Sequence, residues 1–152
     1  SNFFYIKGNL ILMDGDVLYD KKILKKLLNS KKKNCLLIDK KFEKGQEPVK
    51  VCIKNNKIID FGKIVNQDFD YQGESVGFFK FSSKSSIKFL EAAKVIMKSN
   101  KNAMYEDVIQ QIIKKKKVHI DFENITSLPW VEIDFKKDLI LAKKIILKQI
   151  NE

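Results

Sequence analysis

The run Asn9-Leu10-Ile11-Leu12-Met13 stops on Asp14-Gly15-Asp16, and this switch from unbroken apolar to acidic sequence constrains the fold more than any other feature of the chain. A short continuous apolar run reads as a strand buried on both faces, as in the centre of a parallel sheet. Asp20 can then cap a helix in which Ile23, Leu24, Leu27 and Leu28 recur at helical spacing, and Cys35 to Ile38 reads as a second buried strand. Strand, helix, strand in that order is a βαβ unit, whose right-handed crossover sets the two strands parallel. The expectation is an α/β fold with the Asp-Gly-Asp turn at the exit of a central strand.

From Glu43 the texture changes. Gly45 and Pro48 punctuate a loop, and Val49 to Lys54 alternates apolar with mostly basic residues, as half-buried antiparallel strands do. Asn55-Asn56 is a two-residue turn into Ile58-Ile59-Asp60-Phe61-Gly62, so residues 49 to 64 read as a β-hairpin that covers one side of a pocket. Ser75 to Phe81 returns to strand character. Ser82-Ser83 opens a helix with apolar positions Ile87, Leu90, Ala93, Val95 and Ile96, and a further helix spans Tyr105 to Ile113. Val118-His119-Ile120 and Trp130 to Ile133 read as strands, and Phe135 onward as a closing helix with Leu139, Ala142, Ile145, Ile146 and Ile150 as its apolar stripe.

A chain of 152 residues with 44% hydrophobic side chains can bury one core and not two, so residues 1–152 are expected to form a single domain. Charges interrupt every apolar run well short of the roughly 18 to 20 residues that cross a bilayer, which predicts no membrane partner. The net charge of +11 suggests nucleic acid, yet all 30 basic residues are lysine. Arginine is the residue that grips phosphate and guanine bidentately, so its absence disfavours that partner. The runs Lys31–Lys33 and Lys114–Lys117 follow helical patterns, where cations complement exposed carbonyls. Cys35 and Cys52 lie in apolar runs without metal-ligand spacing and accompany a single histidine, which predicts buried reduced thiols, no structural zinc and a cytoplasmic setting.

Carboxylates near a core must be hydrogen-bonded, paired or metal-bound. Asp14 and Asp16 flank a glycine where backbone can approach a nucleotide. The other reading of this triplet is an ordinary acidic turn with Asp16 or Asp20 as helix cap. In Glu132-Ile133-Asp134, strand alternation puts both acids on one face. Taken alone, Asp134 reads first as the N-cap of the closing helix, a role that contributes about 1 kcal/mol without chemistry. Together the two acidic segments can hold one magnesium ion, which binds through carboxylates plus substrate phosphates and keeps several waters.

The order Leu10-Ile11-Leu12-Met13-Asp14-Gly15-Asp16-Val17, then Gly73-Glu74-Ser75-Val76-Gly77-Phe78-Phe79, then Trp130-Val131-Glu132-Ile133-Asp134 with its helix, resembles the nucleotidyltransferase superfamily acting on sugar phosphates and choline phosphate. It looks especially like the small cytidylyltransferases of choline phosphate or phosphonates. The resemblance implies a Rossmann-like mixed sheet of the nucleotide-diphospho-sugar transferase type. It also implies an enzyme that transfers a nucleoside monophosphate from CTP or another NTP to a phosphorylated small-molecule acceptor (choline phosphate, a phosphonate or a sugar phosphate), with release of pyrophosphate. Position by position, it casts Gly15 and Asp16 as nucleotide-binding, and Asp16 and Asp134 as catalytic ligands of Mg2+, with Glu132 as the alternative second ligand. Lys63, Glu74 and Gly77 fall where relatives hold the acceptor, and Glu106 or Asp107 face either the pocket or solvent. The family's glycine-rich loop is absent from these residues, and Ser1 to Ile6 runs straight into apolar sequence without an initiator Met. Both observations lead to the expectation of an N-terminally truncated, C-terminal two-thirds of such a domain. The competing reading is a nucleotide- or partner-binding module of the same fold without turnover.

Overall fold

In the computed structural model, which describes residues 8–41 and 48–151, the organising element is β6 (Tyr71–Phe81), a strand of 11 residues. On one edge it pairs antiparallel with β3 (Cys35–Asp39), from Cys35 opposite Lys80 to Asp39 opposite Glu74. On the other edge it carries two partners, one at each end. There β4 (Lys50–Lys54) pairs with residues 71–74, and β1 (Leu10–Met13) pairs with residues 78–81. The last ladder bonds are Ser75 N to Val49 O (2.8 Å) and Asp14 N to Gly77 O (3.2 Å). Beyond them the two partners part, and the sheet edge is open across Ser75–Gly77.

The rest of the sheet extends outward as β5-β4-β6-β3-β7, with β5 (Lys57–Gly62) antiparallel to β4 and β7 (Asp121–Asn124) parallel to β3. The expected hairpin is present: Asn55 and Asn56 take φ of 49° and 58°, the left-handed pair that a tight turn between twisted strands requires. A separate two-stranded ribbon joins β2 (Val17–Tyr19) to β8 (Trp130–Glu132). Gly45 and Ser1 to Ile6 lie outside the described residues.

Helices cover both faces. One apolar layer packs Leu36, Ile38, Val51, Ile53, Phe61, Phe79 and Phe81 against α2 (Ser83–Ser99) and α3 (Tyr105–Lys114). The opposite layer packs Cys35, Leu37, Val76 and Phe78 against Ile23 and Leu27 of α1 (Lys21–Asn29). Each such aliphatic or aromatic side chain contributes about 1.5–3 kcal/mol by leaving water, so the two layers fix the sheet firmly beneath the open edge. Asp20 caps α1 as expected, its carboxylate accepting from Lys22 N at 2.7 Å, and both cysteines are free and buried.

Several local expectations are corrected. The strand buried on both faces is β3, not β1: among the described residues β1 pairs with β6 alone, and Ile11 points outward. β1 and β3 do run the same way, but β6 lies between them, so the crossover does not create a directly parallel pair. The apolar run Val118–Ile120 is not a strand. Val118 and Ile120 are buried under α2 and α3, and the ladder starts one residue later at Asp121. On α2 the buried stripe runs through Phe89 and Ala92, leaving Ile87 and Val95 exposed.

The closing helix begins at Lys136 rather than Phe135, as α4 (Lys136–Leu141), a π-helical turn (Ala142–Ile146) and α5 (Leu147–Asn151). It buries Ala142 and Ile146 but exposes Leu139. Asp134 is not its cap. Asp138 reaches back instead, its carboxylate accepting from Phe135 N (2.8 Å) and Asp134 N (3.3 Å).

Candidate active site

A cavity of about 350 Å3 opens where β1 and β4 diverge from β6. The ribbon of β2 and β8 forms one wall. The first turn of α3 and the segment just after β5 form another. The residues cast as binding or catalytic all line it: Gly15, Asp16, Lys63, Glu74, Gly77, Glu132 and Asp134. These positions are 119 residues apart at the extremes, from Gly15 to Asp134, so only the fold could bring them together.

The acidic cluster follows from the ribbon. Val17 pairs with Glu132, and Ile133 N donates to Asp16 O at 2.9 Å, so the end of the ribbon holds Asp16 beside the Glu132-Ile133-Asp134 segment. One carboxylate oxygen each from Asp16, Glu132 and Asp134 lies within 4.8 Å of the others. All three side chains are exposed, and none takes a hydrogen bond or ion pair from a described residue. Three hard oxygens suit magnesium or calcium and not a soft metal. With bonds of about 2.1 Å, octahedral ligands stand about 3 to 4.2 Å apart, so a small side-chain adjustment fits the set to such an ion. With Asp134 released from capping the helix, both Asp134 and Glu132 stand in the cluster beside Asp16.

Asp14 has a different setting. Its Oδ2 accepts from Tyr105 Oη at 2.7 Å, and burial raises its carboxyl, with the Tyr105 bond opposing and Asp16 reinforcing. Gly77, at φ +74°, lies directly beneath: a Cβ there would collide with the Asp14 carboxylate. Gly77 is therefore required at this position to seat the Asp-Gly-Asp turn. Burial, opposed in part by its own backbone N–H and less by Lys63, raises Glu106; Glu132, although exposed, is raised by partial desolvation at the cavity mouth, with Asp134, Asp16 and Asp14 adding to the shift. Glu74 goes furthest, pushed up to about 7 by burial, then by Asp39 and Glu132. Against these acids Lys63 is the one lysine lining the cavity among the described residues.

Sequence reasoning did not single out Tyr105, Asp39 or Trp130. Trp130 Nε1 donates to Asp39 Oδ2 (2.9 Å) and Thr126 Oγ1 to Asp39 Oδ1 (2.9 Å), which ties the ribbon to the end of β3 beside Glu74. Of the pair Glu106 and Asp107, Glu106 lines the cavity, with a buried Oε2 that no described residue satisfies, whereas Asp107 caps α3 by accepting from Met104 N at 2.9 Å.

No protein-family model matches the sequence. The chain is 31% identical over 153 aligned residues to the CTP:phosphoglutamine cytidylyltransferase of Campylobacter jejuni, covering 88% of this chain and 58% of the relative. It superposes with a TM-score of 0.66 on the inositol-1-phosphate CTP transferase from T. maritima (19% identity, 98% of this chain and 58% of that one). The chain has the fold of this transferase. A crystal structure of a putative glucose-1-phosphate thymidylyltransferase from Bacillus anthracis shares the fold at a TM-score of 0.60 (18% identity, 95% of this chain and 58% of that one). The nucleotidyltransferase-like fold expected from motif order is thus the fold observed, and the chain spans 58% of the length of the curated relative it matches. Among the described residues no helix is long and apolar enough to cross a membrane.

Proposed function

We propose that this chain carries the metal- and acceptor-binding part of a nucleotidyltransferase that moves a nucleoside monophosphate from CTP, or another NTP, to a phosphorylated or phosphonate small molecule, releasing pyrophosphate. The observation that carries the reading is the Asp16, Glu132 and Asp134 cluster, three unsatisfied carboxylates within 4.8 Å that share a cavity with Lys63. Transfer of this kind depends on positioning and charge neutralisation and needs no covalent enzyme intermediate. Asp16, Asp134 and Glu132 would hold Mg2+, which when bound supplies charge neutralisation at the phosphate oxygens.

The chain's own residues then divide the remaining work. Gly15 keeps side-chain bulk away from the nucleotide beside Asp16. Lys63 attracts an anionic phosphoryl oxygen across the cavity, and its ammonium offsets the repulsion that the surrounding acids exert on that group. Tyr105 and Gly77 fix Asp14, and so the turn that carries Asp16. Glu74, just before the open stretch of β6, borders the acceptor. His119 has no part in this scheme: it is exposed and lies 3.0 Å from Asp121, on the approach to β7.

The test is made on the full-length protein. CTP and other NTPs are incubated with choline phosphate, aminoethylphosphonate and sugar 1-phosphates, and pyrophosphate is measured with and without Mg2+. The expected result is metal-dependent release with at least one pair, reduced about 100-fold or more by Asp16→Asn. Magnesium is also expected to raise the melting temperature of the wild type and not of Asp16→Asn. Silence with every pair, or an Asp16→Asn enzyme at full rate, sinks the reading; CTP binding without turnover would favour the non-catalytic module.

A further inference from the structure

Asp60 is fully buried in β5 and is not among the cavity residues. A carboxylate taken wholly out of water is costly unless every lone pair is met, and here four donors meet it. Its Oδ1 accepts from Phe61 N (2.8 Å) and Gln110 Nε2 (3.1 Å) and lies 3.2 Å from Lys114 Nζ; its Oδ2 accepts from Asn66 N at 3.4 Å. These donors come from three places: β5 itself, α3, and the segment that leaves β5.

That segment carries Lys63. Gln110 Nε2 also donates to Ile64 O (3.1 Å), and Lys50 Nζ donates to Lys63 O (3.2 Å). Gly62 takes φ +134°, where a Cβ would press on Gln110 Nε2 at 3.3 Å. The residues on both sides of Lys63 are thus tied down, while its side chain extends into the cavity. The same helix that supplies Gln110 and Lys114 presents Tyr105 and Glu106 to the cavity from its first turn. One buried carboxylate therefore sets the spacing between α3 and the segment bearing Lys63, the two parts of the wall that face the acidic cluster.

We infer that Asp60, with Gln110, is a positioning residue that holds Lys63 in register with the acidic cluster across the cavity. This inference rests on the reading of Lys63 as the group that meets the acceptor's phosphoryl oxygens. Removing the clamp leaves the lysine in place but frees its backbone, and misplacement of a contact by about 1 Å costs up to about 100-fold in rate.

The experiment uses the full-length protein with Asp60→Asn and Gln110→Ala, each alone and each combined with Lys63→Ala. Gln110→Ala serves as the second variant should Asp60→Asn fold poorly. Two readouts are taken: amide hydrogen exchange across residues 61–66, and kcat and KM for CTP and for whichever of choline phosphate or aminoethylphosphonate turns over. The expected result is faster exchange at Phe61 and Asn66, a rise of about tenfold in acceptor KM with CTP KM little changed, and no further loss when Lys63→Ala is already present, the non-additivity of residues acting as a unit. Losses that multiply with that of Lys63→Ala, or exchange that stays slow, overturn it. A wild type that turns over no pair sinks the transferase reading alone. The clamp is then judged on exchange and on inorganic phosphate binding by calorimetry, which Asp60→Asn and Lys63→Ala must weaken to the same extent and without adding.

Discussion

Asp60 and Asp16 stand on opposite sides of the wall that bounds the cavity, and they show two ways of keeping a carboxylate in a folded protein. Asp60 is completely buried and satisfied by four donors from its own chain. Asp16 is exposed, crowded by Glu132 and Asp134, and its carboxylate takes no hydrogen bond or ion pair from a described residue. The first arrangement binds elements of the fold together. The second leaves like charges within reach of one another, a repulsion that a bound cation would relieve. A satisfied acid marks structure; a set of unsatisfied acids on rigid strand ends marks a place for a ligand.

The sharpest way to break this contrast is to remove each acid and measure stability. Asp60→Ala strands Lys114, Gln110 and two backbone amides and is expected to cost about 3–5 kcal/mol in denaturant unfolding, whereas Asp16→Ala in the presence of a chelator is expected to change stability by less than about 0.5 kcal/mol or to raise it. Equal losses at the two sites would remove the distinction.

Glu74 sharpens it by pH. Its folded pKa, about 7, lies above the ordinary glutamate value, so folding takes up a proton. The stability this contributes is complete below about pH 4.5 and is lost as pH rises through 7. Glu74→Gln is therefore expected to match the wild type near pH 4 and to exceed it by about 1–2 kcal/mol near pH 8, since the side chain keeps part of its hydration. Unfolding curves of the chelated protein at several pH values decide this, and a constant difference across the range would exclude it.

The smallest expected effect is at Tyr105. Tyr105→Phe removes the one side-chain donor to Asp14 among the described residues and is expected to cost about 1 kcal/mol of stability. It should also raise the Asp14 pKa further, because the hydrogen bond is what opposes the burial. Carbonyl-edited NMR titration reads that shift directly.

How much of this was legible in the sequence depends on the range over which each signal acts. Asp20 as a helix cap, Asn55-Asn56 as a tight turn and Cys35 to Ile38 as a strand buried on both faces are local facts, and the residues themselves carry them. The rank of a strand within the sheet is not local. Leu10 to Met13 reads as fully as Cys35 to Asp39, yet one ends on an edge and the other between two neighbours, because the 11 residues of β6 offer two edges and three partners divide them. Asp134 was ambiguous between cap and ligand for a similar reason: whether a helix starts at the next residue or one later decides the matter, and Asp138 settled it from four positions downstream.

The candidate site was legible as a list and not as a geometry. Family order collected Asp16, Lys63, Glu74, Gly77, Glu132 and Asp134, but no pattern in the sequence picks out Tyr105, whose hydroxyl reaches across 91 positions to Asp14, or Asp60, which reads as an interruption in an apolar strand. The sequence by itself determined the alternation of elements, the turns, the buried thiols and the acidic character of two strand ends, because these depend on side-chain periodicity and on a residue's near neighbours. Only the tertiary structure decided that the two acidic ends meet, that Gly77 must lack a side chain to admit Asp14, and that one acid is clamped while the carboxylates of three others stand together without a partner among the described residues. Each of those depends on distances between residues far apart in the chain, which packing of the two apolar layers on the sheet fixes and no local pattern encodes.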